Sequence, residues 1–289
     1  IFKLIVLPIQ IYKLKKINRQ IGNTAVFHAM PMYYMLLCWL AGCRFIGTPQ
    51  GSEILVRPFR SKVYKYMAKF ILKSATVVTV DSKSMSDGIK KISKVKAVII
   101  QNGIDLTLIN NCIENEKEYI RDKIVSIRGM TELYNIYHLV DARNQCIKEQ
   151  PLELIYPFTD DKYLKEVQEI LKPFDRLIGR LAKLDMYQLL QKATVVISIP
   201  SSDSSPRSVY EAIFLGCGII TVYNPWFDGL PNCMKQRIII VDLNDGDWLK
   251  EGIVKARSIS KEKYIPSSEA VNMFDEKVTL KRVIDELYK

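Results

Sequence analysis

Asp203 and Glu211 stand on either side of the junction between a polar loop and a helix, and two carboxylates so placed can accept hydrogen bonds from hydroxyl groups. Just before them, Val195, Val196, Ile197 and Ile199 form a short β-branched run. The Ser/Asp/Pro cluster from Ser201 to Pro206 follows, so the stretch reads as a strand running into a loop. Pro206 suits a first helical position, and Val209, Ala212, Ile213 and Leu215 give the next segment a helical apolar face until Gly216 and Gly218 stop it. Open α/β sheets bind ligands beyond the carboxyl ends of their strands, and the free N–H groups that start such a helix favour anions. Carboxylates for hydroxyls, with amides and a nearby cation for phosphate, outline a site for a sugar nucleotide. On pattern alone an ordinary strand–loop–helix fits equally well, with Asp203 as a cap and Glu211 as a solvated side chain.

The elements that must position these residues read as two βα arrays. A helix to about residue 20 precedes a strand at Ala25 to Phe27, an apolar helix around Tyr33 to Leu40 and a strand at Arg44 to Gly47. The loop TPQGSE comes next and places Gly51, Ser52 and Glu53 beyond that strand's carboxyl end, where a glycine lets backbone approach a ligand. A basic helix, a strand at Thr76 to Val80, a helix from Ser82 and a strand at Ala97 to Ile100 complete the first array, which implies a parallel sheet. Asn102-Gly103-Ile104-Asp105 is a turn at the expected boundary between a first domain (1–104) and a second (105–289). Strands at Ile124 to Ile127, Leu152 to Tyr156 and Arg176 to Ile178 alternate with helices at Tyr134 to Glu149, Asp161 to Leu171 and Met186 to Gln191. After the organising stretch come strands at Ile219 to Val222 and Ile238 to Val241, and a closing amphipathic helix at Glu276 to Leu287. A second doubly wound domain is the economical reading.

A chain of 289 residues is long enough for two cores, and 48% hydrophobic with 25% charged residues excludes a disordered or fibrous protein. Six cysteines without CxxC pairing point to reduced thiols, and two histidines, His28 and His138, are too few for a histidine-built metal site. Residues 1–100 hold 17 Lys and Arg against 3 Asp and Glu, whereas residues 101–289 hold 25 against 28. Lys62, Lys65, Lys69 and Lys73 form a cationic stripe, read as lying opposite Val63, Met67, Phe70 and Ile71. No nucleic-acid-binding signature accompanies this charge, so an anionic membrane surface or an anionic lipid-linked acceptor is preferred to nucleic acid, with a solvated helix face as the plain alternative. The longest uncharged stretch, Ala29 to Cys43, has 15 residues and falls short of the roughly 20 that span a bilayer. The expected location is therefore the cytoplasm, peripheral on the inner membrane face.

Pro200, Ser201, Asp203, Pro206, Ser208, Glu211, Ala212 and Gly216 resemble the signature of the retaining GT-B glycosyltransferases of the "glycosyl transferases group 1" family, sequence-based family 4. Members of that family carry Glu, less often Asp, then seven residues, then Glu-Ala. The likeness extends along the chain. Asn102 to Asp105 is similar to the family's interdomain Asn-Gly-Ile-Asp, Val26 to Ala29 to its Val-Val-His-Ala, and Thr48 to Glu53 to its Thr-Pro-His-Gly-Ser-Asp. Arg128, in SIRGMTELYN, matches an arginine that meets the donor diphosphate.

The resemblance implies two Rossmann-like doubly wound domains facing a cleft, with the last helix returning to the first domain. It also implies that a glycine-rich strand and loop precede Ile1, leaving the first domain incomplete. The implied activity is transfer of a sugar from a nucleoside diphosphate sugar, as co-substrate and without a metal or other cofactor, to a cell-surface glycan or lipid-linked acceptor. Asp203 and Arg128 would carry the catalytic roles, Glu211 would hold the ribose, and Arg207, Ser208, Gly51 and Ser52 would bind donor. His28 and Gln50 are candidates for the cleft, and His138 reads as structural. Two departures stand out: Gln50 occupies the place of a frequent active-site histidine, and Tyr134 and Asn135 stand where many members have a phosphate-binding lysine. They keep open a second reading, a non-catalytic relative that binds nucleotide sugar or partners an active transferase. A nicotinamide-dependent oxidoreductase is disfavoured because no G-x-G-x-x-G follows an expected strand.

Overall fold

Among the described residues, the β-branched runs become ten short strands, all paired in parallel, in two sheets. The computed structural model describes residues 2–22, 25–114 and 120–288. Ile1, counted with the expected first helix, lies outside the described residues. Contacts divide the chain into unit 1, Ile1–Asn102 with Val278–Lys289, and unit 2, Gly103–Lys277.

In unit 1, α1 (Phe2–Ile21), β1 (Phe27–Ala29), α2 (Met32–Ala41), β2 (Phe45–Gly47), α3 (Gly51–Leu55), α4 (Arg57–Arg60), α5 (Lys62–Ser74), β3 (Val77–Val80), α6 (Lys83–Ile92) and β4 (Ala97–Ile99) follow one another. The strands lie in the order β1-β2-β3-β4, so this sheet is wound in one direction. Met35, Phe45, Ile71, Leu72, Val78 and Ile89 fill its core. Three expectations need correction. The first strand runs two residues later than Ala25 to Phe27, because its register pairs Phe27 with Phe45 and Ala29 with Gly47. Gly51, Ser52 and Glu53 are helical, not loop. The buried Glu53 carboxylate accepts from the Gln50 amide at 3.0 Å and the Met32 amide at 2.9 Å, which closes a capping box and ties α3 to the start of α2. Finally, α5 buries Ala68, Ile71 and Leu72, while Val63 and Phe70 point into solvent beside the lysines.

Unit 2 contains α7 (Leu106–Glu114), β5 (Lys123–Ser126), α8 (Ile136–Cys146), β6 (Glu153–Ile155), α9 (Asp161–Ile170), β7 (Arg176–Gly179), α10 (Lys183–Gln191), β8 (Ala193–Ser198), α11 (Arg207–Phe214), β9 (Gly218–Thr221), α12 (Asn232–Lys235), β10 (Ile238–Ile240), α13 (Trp248–Ser260) and α14 (Ser268–Phe274). The expected helix at Tyr134 to Glu149 is broken at its start. A 3-10 turn over Glu132–Tyr134 is followed by Asn135 in the left-handed region, φ 53°, before α8 begins. The strand order β10-β9-β8-β5-β6-β7 reverses direction between β8 and β5, the doubly wound arrangement with its switch point at that pair.

Side chains alternate along the central strands. Val125, Val196 and Ile219 face one core, with α7, α10 and α11, while Ile124, Val195, Ile197 and Ile220 face the other, with α8, α9 and α13. A Cβ at Gly218 would overlap the Ala256 backbone, so α13 lies directly on β9. The two ends of unit 2 are hydrogen-bonded together, with the Ile104 amide on the Phe274 carbonyl at 2.7 Å and the Glu276 amide on the Ile104 carbonyl at 3.0 Å. The last helix, α15 (Glu276–Leu287), packs Val283 and Leu287 against Ile46, Val98 and Ile100 of unit 1.

One charged pair lies wholly inside unit 2. The Arg143 and Asp175 side chains are both 0% exposed. Arg143 reaches both Asp175 oxygens and donates to the Gln150 carbonyl at 2.7 Å, while Asp175 accepts from the Lys172 and Leu152 amides at 2.8 and 3.0 Å. Burial opposes the Asp175 charge, but the Arg143 guanidinium and the two amides outweigh it and hold the carboxyl below its ordinary range. With the folded pKa below the unfolded one, the stabilisation is fully present above about pH 4 and is lost as pH falls through the folded value. Arg143→Met leaves Asp175 buried without its cation and should cost about 3–5 kcal/mol in urea unfolding at pH 7. A loss below about 1 kcal/mol would contradict this account of the pair.

Candidate functional site

Because β5 and β8 are neighbours at the switch point, the loops leaving their carboxyl ends lie side by side. Two hydrogen bonds fasten them: the Ser201 amide donates to the Leu133 carbonyl at 2.8 Å, and Asn135 Nδ2 donates to the Ile199 carbonyl at 2.9 Å. Asn224, beyond β9, accepts from the Asp203 amide at 3.0 Å and donates to the Pro200 carbonyl at 3.4 Å.

Arg128 lies between these loops, 8% exposed. Its guanidinium pairs with Asp203, donates to Ser208 Oγ at 3.3 Å and stacks 4.5 Å from the centroid of the Tyr134 ring. Its Nε is buried and has no hydrogen-bond partner among the described residues. Arg128, Asp203 and Ser208 are thus brought together. Asp203 does not cap α11; its Oδ1 accepts from the Ser205 amide at 3.3 Å within the loop, and Pro206 occupies the cap position.

Glu211 is on the same helix and is 4% exposed, not solvated. Tyr187, fully buried on α10, donates its hydroxyl to Glu211 Oε1 at 2.8 Å. Arg207 Nε and Lys183 Nζ stand at 3.6 and 3.9 Å from the same oxygen. Burial pushes the Glu211 carboxyl above its ordinary range, against the opposing pull of Tyr187, Lys183 and Arg207. Beside it opens a cavity of about 620 Å³ lined by Arg180, Leu181, Ala182, Lys183, Met186, Arg207 and Glu211. Sequence reasoning missed this wall, and Tyr187 and Tyr134 as partners of the charged groups. Gly179 (φ 73°), ending β7 just before Arg180, is the signal that marks the loop.

The candidates in unit 1 form their own group. His28, on β1, is hydrogen-bonded through Nε2 to Thr48 Oγ1 at 2.8 Å and through Nδ1 to the Tyr288 hydroxyl at 2.6 Å, and Thr48 continues to Thr79 at 2.5 Å. Gln50 caps α3 and is exposed, as is Ser52, while Gly51 is half-buried. His138 stacks on Trp248 at 5.9 Å, a packing role. Among the described residues, no group of three or more His, Cys, Asp or Glu side chains is placed to hold a metal ion.

No protein-family model matches this chain, and no curated protein matches it either. Solved structures do. A sucrose-phosphate synthase from Thermosynechococcus elongatus superposes with a TM-score of 0.76 at 17% identity, covering 99% of this chain and 78% of its own. HepE from Anabaena, in complex with UDP and glucose, gives 0.75 at 14% identity, covering 96% and 80%. A UDP-forming trehalose-phosphate synthase from Burkholderia xenovorans, in complex with glucose-6-phosphate, gives 0.70 at 10% identity, covering 98% and 77%. At such identities the likeness carries the fold, and the fold is GT-B.

The Tyr187 hydroxyl is the shortest contact to a buried carboxylate whose charge burial opposes. Tyr187→Phe should lower stability at pH 7 by about 1–3 kcal/mol in urea unfolding. In a Glu211→Gln background, which removes the charge, the same substitution should cost clearly less. Equal losses in the two backgrounds would show that the hydroxyl does not act through Glu211.

Proposed function

We propose that this chain is a glycosyltransferase that moves a sugar from a nucleoside diphosphate sugar to a cell-surface glycan or lipid-linked acceptor, with retention of configuration, at the inner face of a membrane. One observation carries the reading: at the carboxyl ends of β5 and β8 the Nε–H of a buried arginine has no partner among the described residues, beside a carboxylate and a serine hydroxyl. A guanidinium so placed suits a diphosphate, whose oxygens can take both the free N–H and the bonds now made to Asp203.

In this reading the nucleoside lies in the cavity beside Glu211, whose carboxylate accepts from ribose hydroxyls. Asp203, released from Arg128, accepts from a hydroxyl of the donor sugar. The bond between the anomeric carbon and the diphosphate oxygen breaks with its electron pair going to the leaving oxygen, which Arg128 stabilises as charge develops. The acceptor hydroxyl oxygen bonds to the same face of that carbon, and its proton passes to the leaving phosphate. The chain supplies position and charge and no nucleophile, and the arrangement calls on no metal ion. Gly51 and Ser52, at the start of α3, are assigned to donor contacts. Support comes from the fold, and from neighbours of that fold crystallised with UDP and with UDP-glucose.

Gln50 and Tyr134 motivate the second reading, a non-catalytic relative that binds nucleotide sugar or partners an active transferase. Purified protein that binds a donor panel without hydrolysis or transfer would favour it.

Arg128→Ala should weaken nucleoside diphosphates by about 1.5–3 kcal/mol in calorimetry while leaving the free nucleoside nearly unchanged. Equal losses for the two ligands would remove Arg128 from the phosphate site. A second expectation concerns pH. Because burial raises the Glu211 pKa and ribose hydroxyls need the carboxylate, nucleoside affinity should fall as pH drops through that raised value, starting above the ordinary glutamate range. Glu211→Gln should bind more weakly at neutral pH and show no such dependence. A pH profile identical in the two proteins would sink the ribose assignment.

A further inference from the structure

From Ile54 to Val80 the chain contains six Lys and Arg and no Asp or Glu. This segment spans α4 and α5, and α5 turns Ala68, Ile71 and Leu72 into the core of unit 1. What it turns outward is not a plain polar face. Val63, Tyr66 and Phe70 are 81%, 64% and 58% exposed, and their i, i+3, i+7 spacing lines them up along one side of the helix. Lys62, Lys69 and Lys73 run beside them as a parallel stripe. On the far side of the lysines, Phe59 of α4 is 56% exposed, with Lys65 Nζ 5.7 Å from its ring centroid. Arg57 and Arg60 extend the charge along α4. The helix therefore has two apolar sides, one seated on the sheet and one open to water, with cations against the open one.

We infer that the outward face of α4 and α5 docks on an anionic lipid bilayer. Val63, Tyr66, Phe70 and Phe59 enter the boundary between headgroups and acyl chains, and Arg57, Arg60, Lys62, Lys69 and Lys73 meet the headgroup phosphates. Complementarity selects this occupant. A bilayer offers negative charge beside an apolar layer, and a face that sets a lysine stripe along an apolar stripe can meet both, the lysine heads snorkelling to the phosphates while the apolar side chains insert. A second copy of this face would set lysine stripe against lysine stripe. No helix among the described residues is long and apolar enough to cross a membrane, so the contact is interfacial. Docking on lipid rests on the membrane location in the proposed function, and because it is measured without donor or acceptor its failure would leave the transfer chemistry standing.

The experiment uses the full chain with vesicles of phosphatidylcholine alone and with 30% phosphatidylglycerol (about one lipid in three charged, to match an anionic leaflet). The protein should co-sediment with the charged vesicles, weakly or not at all with the neutral ones, and less as salt shortens the roughly 8 Å screening length. Replacing Lys62, Lys69 and Lys73 together by Gln should reduce partitioning on the order of 100-fold. Replacing Val63, Tyr66 and Phe70 together by Ser should reduce it at least about tenfold with the lysines intact, because burial of apolar surface is lost. All six side chains project from the core, so thermal unfolding should be unchanged in both variants. A Phe70→Trp substitution reads insertion directly, by a blue shift of the added indole's emission on charged vesicles and by its quenching with lipids brominated on their acyl chains. Binding indifferent to lipid charge, undiminished by the apolar substitutions, or without any such blue shift overturns the proposal. So does a protein that ignores vesicles and forms a dimer or a protein complex that the same substitutions dissolve.

Discussion

The pairing of β5 with β8 is the constraint from which the rest of unit 2 follows. Parallel strands joined by right-handed crossovers send their helices to one face while the sheet grows in one direction, and to the opposite face when it grows the other way. Here the direction reverses at that pair, so α8 packs in one core and α11 in the other. The loops that lead to them part at the strand ends. Arg128 leaves with one and Asp203 with the other, and the hydrogen bonds from Ser201 and Asn135 keep the loops from opening further. An anion site at this spot needs no special loop. It needs the crevice that topology leaves and a cation standing in it.

Charge inside this protein is handled by enclosure within hydrogen bonds, not by pairing alone. Asp175 has two amides as well as Arg143, and Glu211 has Tyr187 as well as two more distant cations. Arg121 and Arg237 go further and are held by main-chain carbonyls of Ala193, Leu215, Ile259 and Glu262 at strand and helix ends. These are stabilising only while the partners remain, because a buried ion that loses one is left with its full desolvation cost.

Much of the fold is legible in the residues. The β-branched run from Val195, the polar loop and the helix to Gly216 announce themselves because local propensity and burial agree there. Glu211 as a site residue is legible only through resemblance, since a glutamate on a helix otherwise reads as solvated. Tyr187 and Tyr134 are not legible at all: Tyr187 matters through Glu211, which lies on a different helix, and Tyr134 through Arg128, which only the fold of the loop after β5 brings against its ring. The stretch from Thr48 to Glu53 reads as loop because its helix depends on the Glu53 carboxylate reaching Met32, which local sequence does not reveal. Val63 and Phe70 read as the core side of α5 because hydrophobic spacing says that a side is apolar and not which neighbour covers it.

The pairing of Arg128 with Asp203 also governs how far the crevice can be felt. A bare guanidinium projects potential over a Debye length, whereas a cation beside its carboxylate is a dipole whose field dies away much faster. An approaching anion is therefore not drawn in from a distance by this arginine. It must arrive by diffusion, make contact, and only then exchange places with Asp203. Any long-range attraction must come from the cations of the neighbouring cavity wall, Arg180, Lys183 and Arg207, while selection at Arg128 is exercised at the exchange, in the lifetime of the complex.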